Sequence, residues 1–429
     1  MILGIRIENF YSIKDEISLD FRAEKINTEG VKALSANVID YKGQKVLKSI
    51  GLFGANASGK SNILKAIWFC CYTILNSHQY NEGKIFKFVP FKFEGYINKP
   101  SSFSIDFIHD DIEYEYSFTL TTTEILKESL FFYPNNRRAK VFIRDETKGL
   151  GKQEIYSFSN GLIPRPFDVA INTSKKTLFL SRASQMDREF CRNLYRFFLD
   201  NFWLGFAPIN YEALASYMTK DLFIQNKELF LHALLICDSD ILNIDVLPET
   251  KKVQDQKTND KFITASENKE TEFSPPRFEA FHRASPTVAF NMLSEESAGT
   301  IQLFNMLFFL LDIVKNGKTF FLDEFDLSLH SKIADFVVDL FHASSSAQFL
   351  FTSHNTNLID AKRFRRDQIL FTNKKNDGST ELYSLYDHKD FRENMDAEKG
   401  YLQGRFDAIP VVDSSHGALT KLLENTKPA

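Results

Sequence analysis

Hydrophobic and polar positions divide the chain into three stretches of different rhythm. At the start the period is two: Ile5 and Ile7 alternate with Arg6 and Glu8, and Ile17, Leu19 and Phe21 with Ser18 and Asp20. Both segments predict half-buried strands. Residues 49–53 form a short apolar strand that runs into a glycine-rich turn. From Lys60 onward Ile63, Leu64, Ile67, Cys71, Ile74 and Leu75 recur at helical spacing. Residues 103–107 and 114–118 alternate again and predict neighbouring strands. Between about 165 and 245 the rhythm is helical, with Phe190, Leu194, Phe197 and Phe198 on one face and Ile224, Leu229, Leu231 and Leu234 on another. Residues 251–272 are polar and mixed in charge, which predicts an exposed loop or hairpin tip. From Phe278 the α/β pattern resumes. Residues 319–322 and 347–352 are buried strands, and Ile333, Phe336, Val337, Leu340 and Phe341 mark an amphipathic helix between them. The expectation is an α/β protein with a first lobe over 1–150, a helical insertion over 151–285 and a second lobe over 286–429.

Composition narrows the class. The chain has 429 residues, 43% hydrophobic and 25% charged, with a net charge of −4. These values exclude a disordered chain, a collagen-like fibre and a membrane protein. A near-neutral chain is no basic nucleic-acid coat, so any such contact needs a local patch. The small cluster Arg137, Arg138, Lys140 and Arg144 reads first as a solvated hairpin. Phenylalanine is abundant, at 43 residues, and predicts a core packed largely by that side chain. Cys70, Cys71, Cys191 and Cys237 form no CxxC pair, which argues against zinc and suits a reducing cytoplasm. The amino-terminal alternation is that of a strand, not of a signal peptide. The longest apolar run, about 303–314, is interrupted by Asn305 and Asp312 and is too short to span a bilayer.

The sharpest chemistry lies at Gly54-Ala55-Asn56-Ala57-Ser58-Gly59-Lys60-Ser61, which fits the phosphate-loop pattern G-x-x-x-x-G-K-[ST]. Glycines let consecutive backbone N–H groups turn inward on an anion. The helix that follows aims its positive end at the same place. Lys60 reaches the β- and γ-phosphates of ATP, and the Ser61 hydroxyl is a ligand for Mg²⁺. A chance glycine-rich turn would lack the apolar strand before it and the helix after it.

Two further groups fit that loop. Residues 320–324 form an apolar strand ending in Asp323 and Glu324. An acid at such a strand end holds Mg²⁺, the role expected of Asp323, and the next acid, Glu324, is placed as general base toward water. Alone, the pair would be two solvated acids at a strand edge. His354 follows the next apolar strand, where α/β proteins bind ligands, and is expected to reach the γ-phosphate or the attacking water. A lone histidine is ordinarily structural, and its place at a strand end is what singles it out. A second anion site is predicted at Ser297-Ala298-Gly299-Thr300. There Ser297 is placed to cap an apolar helix and Gly299 to let backbone approach closely.

Taken together these segments resemble an ABC-type P-loop ATPase head of the SMC/RecF/OLD lineage. Ile7-Glu8-Asn9-Phe10 and Gly59-Lys60-Ser61-Asn62 carry the likeness at the start of the chain. Ser297-Ala298-Gly299-Thr300 stands where the family has its Ser-Gly-Gly-Gln signature. Closer still is the prokaryotic AAA-15 group of RloA-like, AbiL-type and AriA-like phage-defence ATPases. That likeness extends over Glu296 to Thr300, Asp323-Glu324, Leu329-His330, Phe364 to Gln368 and the closing Tyr401 to Pro410. It implies a mixed-sheet ATPase head with an inserted helical lobe, and a homodimer or a higher assembly such as a hexamer. In such a dimer the signature of one subunit caps the γ-phosphate of ATP held with Mg²⁺ by the other. It also implies a phage-derived trigger and a separate effector, a TOPRIM-type or other toxin nuclease, since 75 residues after His354 are too few for a built-in TOPRIM domain. A RecF-like DNA-binding ATPase and an ATP-binding scaffold without turnover are the alternatives. Three departures stand out: no Q-loop glutamine near 88–93, a degenerate signature, and Ser331 where proline often follows Leu-His.

Overall fold

The computed structural model describes residues 1–149, 151–206, 220–237, 240–247, 276–327, 329–392 and 395–410. The predicted tip at 251–272 and the closing turn near 419–429 lie outside the described residues. The chain separates into two compact units, one built from Ile2–Leu199 and the chain from Thr352 onward, the other from Met1 and Asp200–Phe351. The fold is mixed α/β, as the alternating rhythms predict.

In the first unit, a seven-stranded antiparallel sheet runs in the order β10-β9-β8-β7-β6-β1-β2. Its strands are β1 (Ile2–Glu8), β2 (Ile17–Asp20), β6 (Ser101–His109), β7 (Ile112–Leu120), β8 (Ile125–Phe132), β9 (Ala139–Asp145) and β10 (Tyr156–Phe158). Its core is phenylalanine against phenylalanine. Phe10, Phe69, Phe88 and Phe103 meet with ring centroids 4.8 to 5.8 Å apart, and Phe118 stacks on Phe103 at 5.3 Å. Phe69 comes from α1 (Lys60–Asn76), whose apolar stripe packs inward. Cys70 and Cys71 lie in the same stripe; burial pushes the Cys71 thiol up to about 12, so it behaves as a small hydrophobe.

The same unit holds β3 (Val38–Tyr41) paired with β4 (Gln44–Leu47), and the set β5 (Ser49–Gly54), β17 (Ile369–Lys374) and β18 (Thr380–Ser384). β17 runs parallel to β5, with Thr372 opposite Gly54, and antiparallel to β18. Register is pinned from below: Gln368 Nε2 donates to the Ser49 carbonyl and hydroxyl oxygens, both at 2.9 Å. The closing segment packs here too, with Phe406 and Tyr401 stacked on Phe371 at 5.1 and 5.7 Å.

In the second unit, β11 (Phe202–Phe206), β15 (Thr319–Asp323) and β16 (Gln348–Thr352) pair in parallel. β12 (Ile241–Leu247), β13 (Arg277–His282) and β14 (Ser285–Asn291) form an antiparallel sheet. Its helices include α2 (Lys220–Ile236), α3 (Ala298–Lys315) and α4 (Ser331–Ala343). Phe223 and Phe230 of α2 close on Phe278, Phe304 and Phe308.

Three segments differ from the periodic reading. β11 and β12 are strands inside the stretch read as helical, because aromatic and β-branched residues that pair with neighbouring strands override a short helical spacing. α3 has 18 residues, more than its interrupted apolar run suggests, and is long and apolar enough to cross a membrane. Here it packs as a core helix, with Gln302 and Asn305 buried among its apolar residues. Arg144 is not on a solvated hairpin: it is fully buried on β9.

Candidate functional site

β5 is buried at every position and delivers the chain into the loop from Gly54 to Gly59. Gly54 sits at φ +153° and Gly59 at φ +115°, both in the region that favours glycine. A Cβ at Gly54 would collide with Thr372, and one at Gly59 with the Thr380 side chain. Ala57 is also left-handed, at φ +61°. For an alanine that costs about 1–2 kcal/mol, held by the surrounding structure.

What holds the loop is a line of hydroxyls. Ser58 Oγ and Thr372 Oγ1 are 2.6 Å apart, and Thr372 Oγ1 donates to the Phe53 carbonyl at 3.3 Å. Thr380 Oγ1 donates to the Ser58 carbonyl at 2.9 Å and lies 2.7 Å from Ser12 Oγ. Asn62 Nδ2 donates to Ser12 Oγ at 2.8 Å. Ser12, two residues after Phe10, and the two threonines of β17 and β18 thus brace the loop from behind. None of the three was singled out by motif. Nothing in the sequence marks Thr372 or Thr380, which lie more than 300 positions from the loop; only the nearness of Ser12 to Asn9-Phe10 is readable.

Lys60 is buried and folds over the loop, with Nζ donating to the carbonyls of Gly54 at 2.8 Å and Ala55 at 3.1 Å. α1 starts with no side-chain cap. The first amides of a helix have no intrahelical acceptor, so this end, flanked by Ser61 and Asn62, is chemically suited to a phosphate. Also in this unit, His354 stands exposed after β16, beside the buried Ser353, whose Oγ accepts from Asn355 N at 2.8 Å.

In the second unit Asp323 closes β15 and is buried. Glu324 follows in the left-handed region at φ +49°, half-buried, in a turn closed by Leu327 N on the Glu324 carbonyl at 2.9 Å. Phe325 anchors that turn, fully buried with its ring 5.2 Å from Phe349 and 4.7 Å from Phe351. His330 caps α4 through Nδ1, so Ser331 needs no proline-like restriction to begin the helix. Ser297 is the N-cap of α3: its Oγ accepts from Thr300 N at 3.1 Å and lies 2.8 Å from Thr300 Oγ1. Ser297 and Ala298 are exposed, while Gly299 and Thr300 are half-buried.

Each unit by itself carries oxygen donors: the first unit the Ser61 hydroxyl, the second the carboxylates of Asp323 and Glu324. That chemistry fits Mg²⁺, which takes few protein ligands and completes its shell with phosphate and water. Among the described residues no three His, Cys, Asp or Glu side chains gather into a metal cage.

The profile of a family described as "AAA domain, putative AbiEii toxin, Type IV TA system" matches residues 49–360, the larger part of the chain. No curated protein matches. Among solved structures, an SMC head bound to the C-winged helix domain of ScpA is 16% identical with a TM-score of 0.39, covering 89% of this chain and 97% of that one. The SMC head domain from Thermotoga maritima is 10% identical with a TM-score of 0.40, covering 89% and 98%. The Smc head with an extended coiled coil, bound to the C-terminal domain of ScpA derived from Pyrococcus furiosus, is 14% identical with a TM-score of 0.37, covering 94% and 98%.

Proposed function

We infer a function for a chain that belongs to the AAA-domain family of the AbiEii, type IV TA description: it is a P-loop ATPase that binds and hydrolyses ATP with Mg²⁺. The observation that carries this reading is the hydroxyl-braced loop from Gly54 to Ser61, opening a helix that no side chain caps. Lys60, Ser61 and the loop amides from Gly54 to Asn62 hold the nucleotide. Asp323, with Ser61, is the side chain that holds Mg²⁺, whose charge offsets that of the phosphates. Glu324 takes the proton of the attacking water, and His354 contacts the γ-phosphate or that water. Ser297, Ala298, Gly299 and Thr300 complete the site of a second copy, making the working unit a homodimer or a higher assembly. The test is ATP turnover by the purified chain. Wild type should hydrolyse ATP, Lys60→Ala should lose binding or turnover, and Glu324→Gln should bind without turning over. Equal slow hydrolysis by wild type and Glu324→Gln would leave a scaffold that only binds.

In the cell, this reading makes the chain a cytoplasmic regulatory ATPase of a prokaryotic anti-phage, abortive-infection system, acting on a separate toxin or nuclease. A TOPRIM-type nuclease gene beside its own would support an AriA-like assignment, and another toxin gene a different system. The family description itself names a toxin, which favours a second reading in which this chain is the toxic component. Expression alone separates them: growth arrest that Lys60→Ala abolishes would make the chain the toxin. A RecF-like reading loses one of its four basic residues, because Arg144 is buried. Steeply salt-dependent DNA binding would restore it.

A further inference from the structure

We propose that His282 is a positioning residue for the Ser297 turn, acting as a doubly protonated bridge between Asp240 and Glu296. The proposal deepens the shared-site reading above and rests on it for its effect on turnover.

His282 closes β13, and both of its ring nitrogens face carboxylates. Nδ1 lies 2.6 Å from Asp240 Oδ1, ahead of β12, and Nε2 lies 2.7 Å from Glu296 Oε1, in the turn ahead of α3. A neutral imidazole carries one N–H and cannot donate in both directions, whereas an imidazolium can. Among the described residues, the charged groups facing the ring are these two carboxylates; from β14 the Phe290 ring meets it edge-on at 4.9 Å. Burial opposes the positive charge, but the hydrogen bonds to Asp240 and Glu296 outweigh it and hold the imidazole above its ordinary range.

Glu296 is the residue before Ser297, so fixing its side chain fixes the approach to the cap. The same turn is tied to β14, since Asn291 N donates to the Glu295 carboxylate. Two consecutive acids therefore anchor the turn, one through strand backbone and one through His282. Only the second depends on a proton. Because the folded imidazole titrates higher than a free one, the bridge is complete at low pH and is lost as pH rises through that raised value.

The experiment is amide hydrogen exchange over residues 293–301 in the full-length chain, comparing wild type with His282→Gln at about pH 6 and about pH 9, with intrinsic rates corrected. At the lower pH the variant's turn should exchange about tenfold faster, as expected for losing a hydrogen bond between charged groups, and the gap should close at the higher pH. Equal exchange at the lower pH would overturn the proposal. If His282→Gln fails to fold, Glu296→Met removes the acceptor at the other end of the bridge and should give the same result. Turnover supplies the second readout: kcat should drop several-fold and lose its alkaline decline, with KM for ATP unchanged. A loosened turn with an unaltered kcat and pH profile would refute the positioning role. Full activity of Ser297→Arg would instead refute the shared site, and the exchange result would still decide the bridge.

Discussion

Thr380 Oγ1 stands 2.7 Å from Ser12 Oγ and 2.9 Å from the carbonyl oxygen of Ser58, so one hydroxyl on β18 ties the segment after β1 to the phosphate loop. Valine has the same shape without the hydroxyl. Thr380→Val would leave the Ser58 carbonyl unsatisfied in a buried place, at a cost of about 1–3 kcal/mol. Part of that cost should appear as nucleotide binding, with the Kd for ATP rising about tenfold for each 1.4 kcal/mol that the loop must recover. Calorimetric titration with a non-hydrolysable ATP analogue checks this. Gly59→Ala, whose Cβ would strike Thr380, should bind no nucleotide at all.

Glu324 holds a left-handed backbone at φ +49°, a region disfavoured for any residue with a Cβ. Strain of this kind gathers where function requires it. Glycine relieves the strain and alanine does not, so Glu324→Gly should be more stable than Glu324→Ala by about 1 kcal/mol. Both should be inactive. Thermal unfolding of the two variants side by side checks the order, and an alanine variant at least as stable as the glycine one would refute it.

Much of the phosphate loop was legible because its parts are contiguous. The strand, the glycines, Lys60 and the apolar stripe of α1 lie within 28 residues, and local spacing carries them. The acid pair was legible for the same reason: β15 runs straight into Asp323. Thr372 and Thr380 were not, because they meet the loop through the parallel pairing of β17 with β5, which no local pattern encodes. Arg144 misled in the opposite direction. Four basic residues within eight positions look solvated, yet the period of β9 points Arg144 inward, onto carboxylates contributed by Glu128 and Glu146. His282 was missed because its partners precede and follow it on separate elements.

If one copy's Ser297 turn completes the other copy's nucleotide site, two inactive variants should restore each other in part. Ser297→Arg keeps its own phosphate loop, and Lys60→Ala keeps its own turn. A mixed dimer then contains one intact composite site and one doubly damaged site. Random exchange makes about half the dimers mixed, so activity should recover to at most about a quarter of wild type. Each variant alone should be inactive, with ATP binding retained only by Ser297→Arg. Steady-state hydrolysis across mixing ratios checks this. A Ser297→Arg protein with full turnover would end the shared-site reading.

The buried Arg144 is the strongest stability determinant we expect in the unit that carries the phosphate loop. Its Nε donates to Glu146 Oε1 at 3.0 Å, and its Nη atoms donate to the carbonyls of Thr177 at 2.7 Å and Ser174 at 2.9 Å. Glu128 Oε2 lies 3.6 Å away and also accepts from the Phe179 amide, while Glu128 Oε1 accepts from the Leu180 amide. Arg144→Met would leave two buried carboxylates short of a positive partner, a loss of about 3–5 kcal/mol. Arg144→Lys should recover little of it, since an ammonium cannot present the same fork of donors. Exposed Arg138, by contrast, pairs with Glu115 at the surface, and Arg138→Ala should cost no more than about 1 kcal/mol. The pH dependence follows from Glu146. Burial would raise its carboxyl, but the Arg144 charge and then Lys152 hold it below the usual range. A depressed carboxylate stabilises the fold above its unfolded pKa, and that contribution fades as pH falls through the folded value. Arg144→Met removes the largest opposing charge, so Glu146 takes up its proton at higher pH and acid unfolding should begin at higher pH than in wild type. Circular dichroism melts over a falling pH series check both parts. An Arg144→Met protein as stable as wild type at neutral pH would show that the buried network contributes nothing.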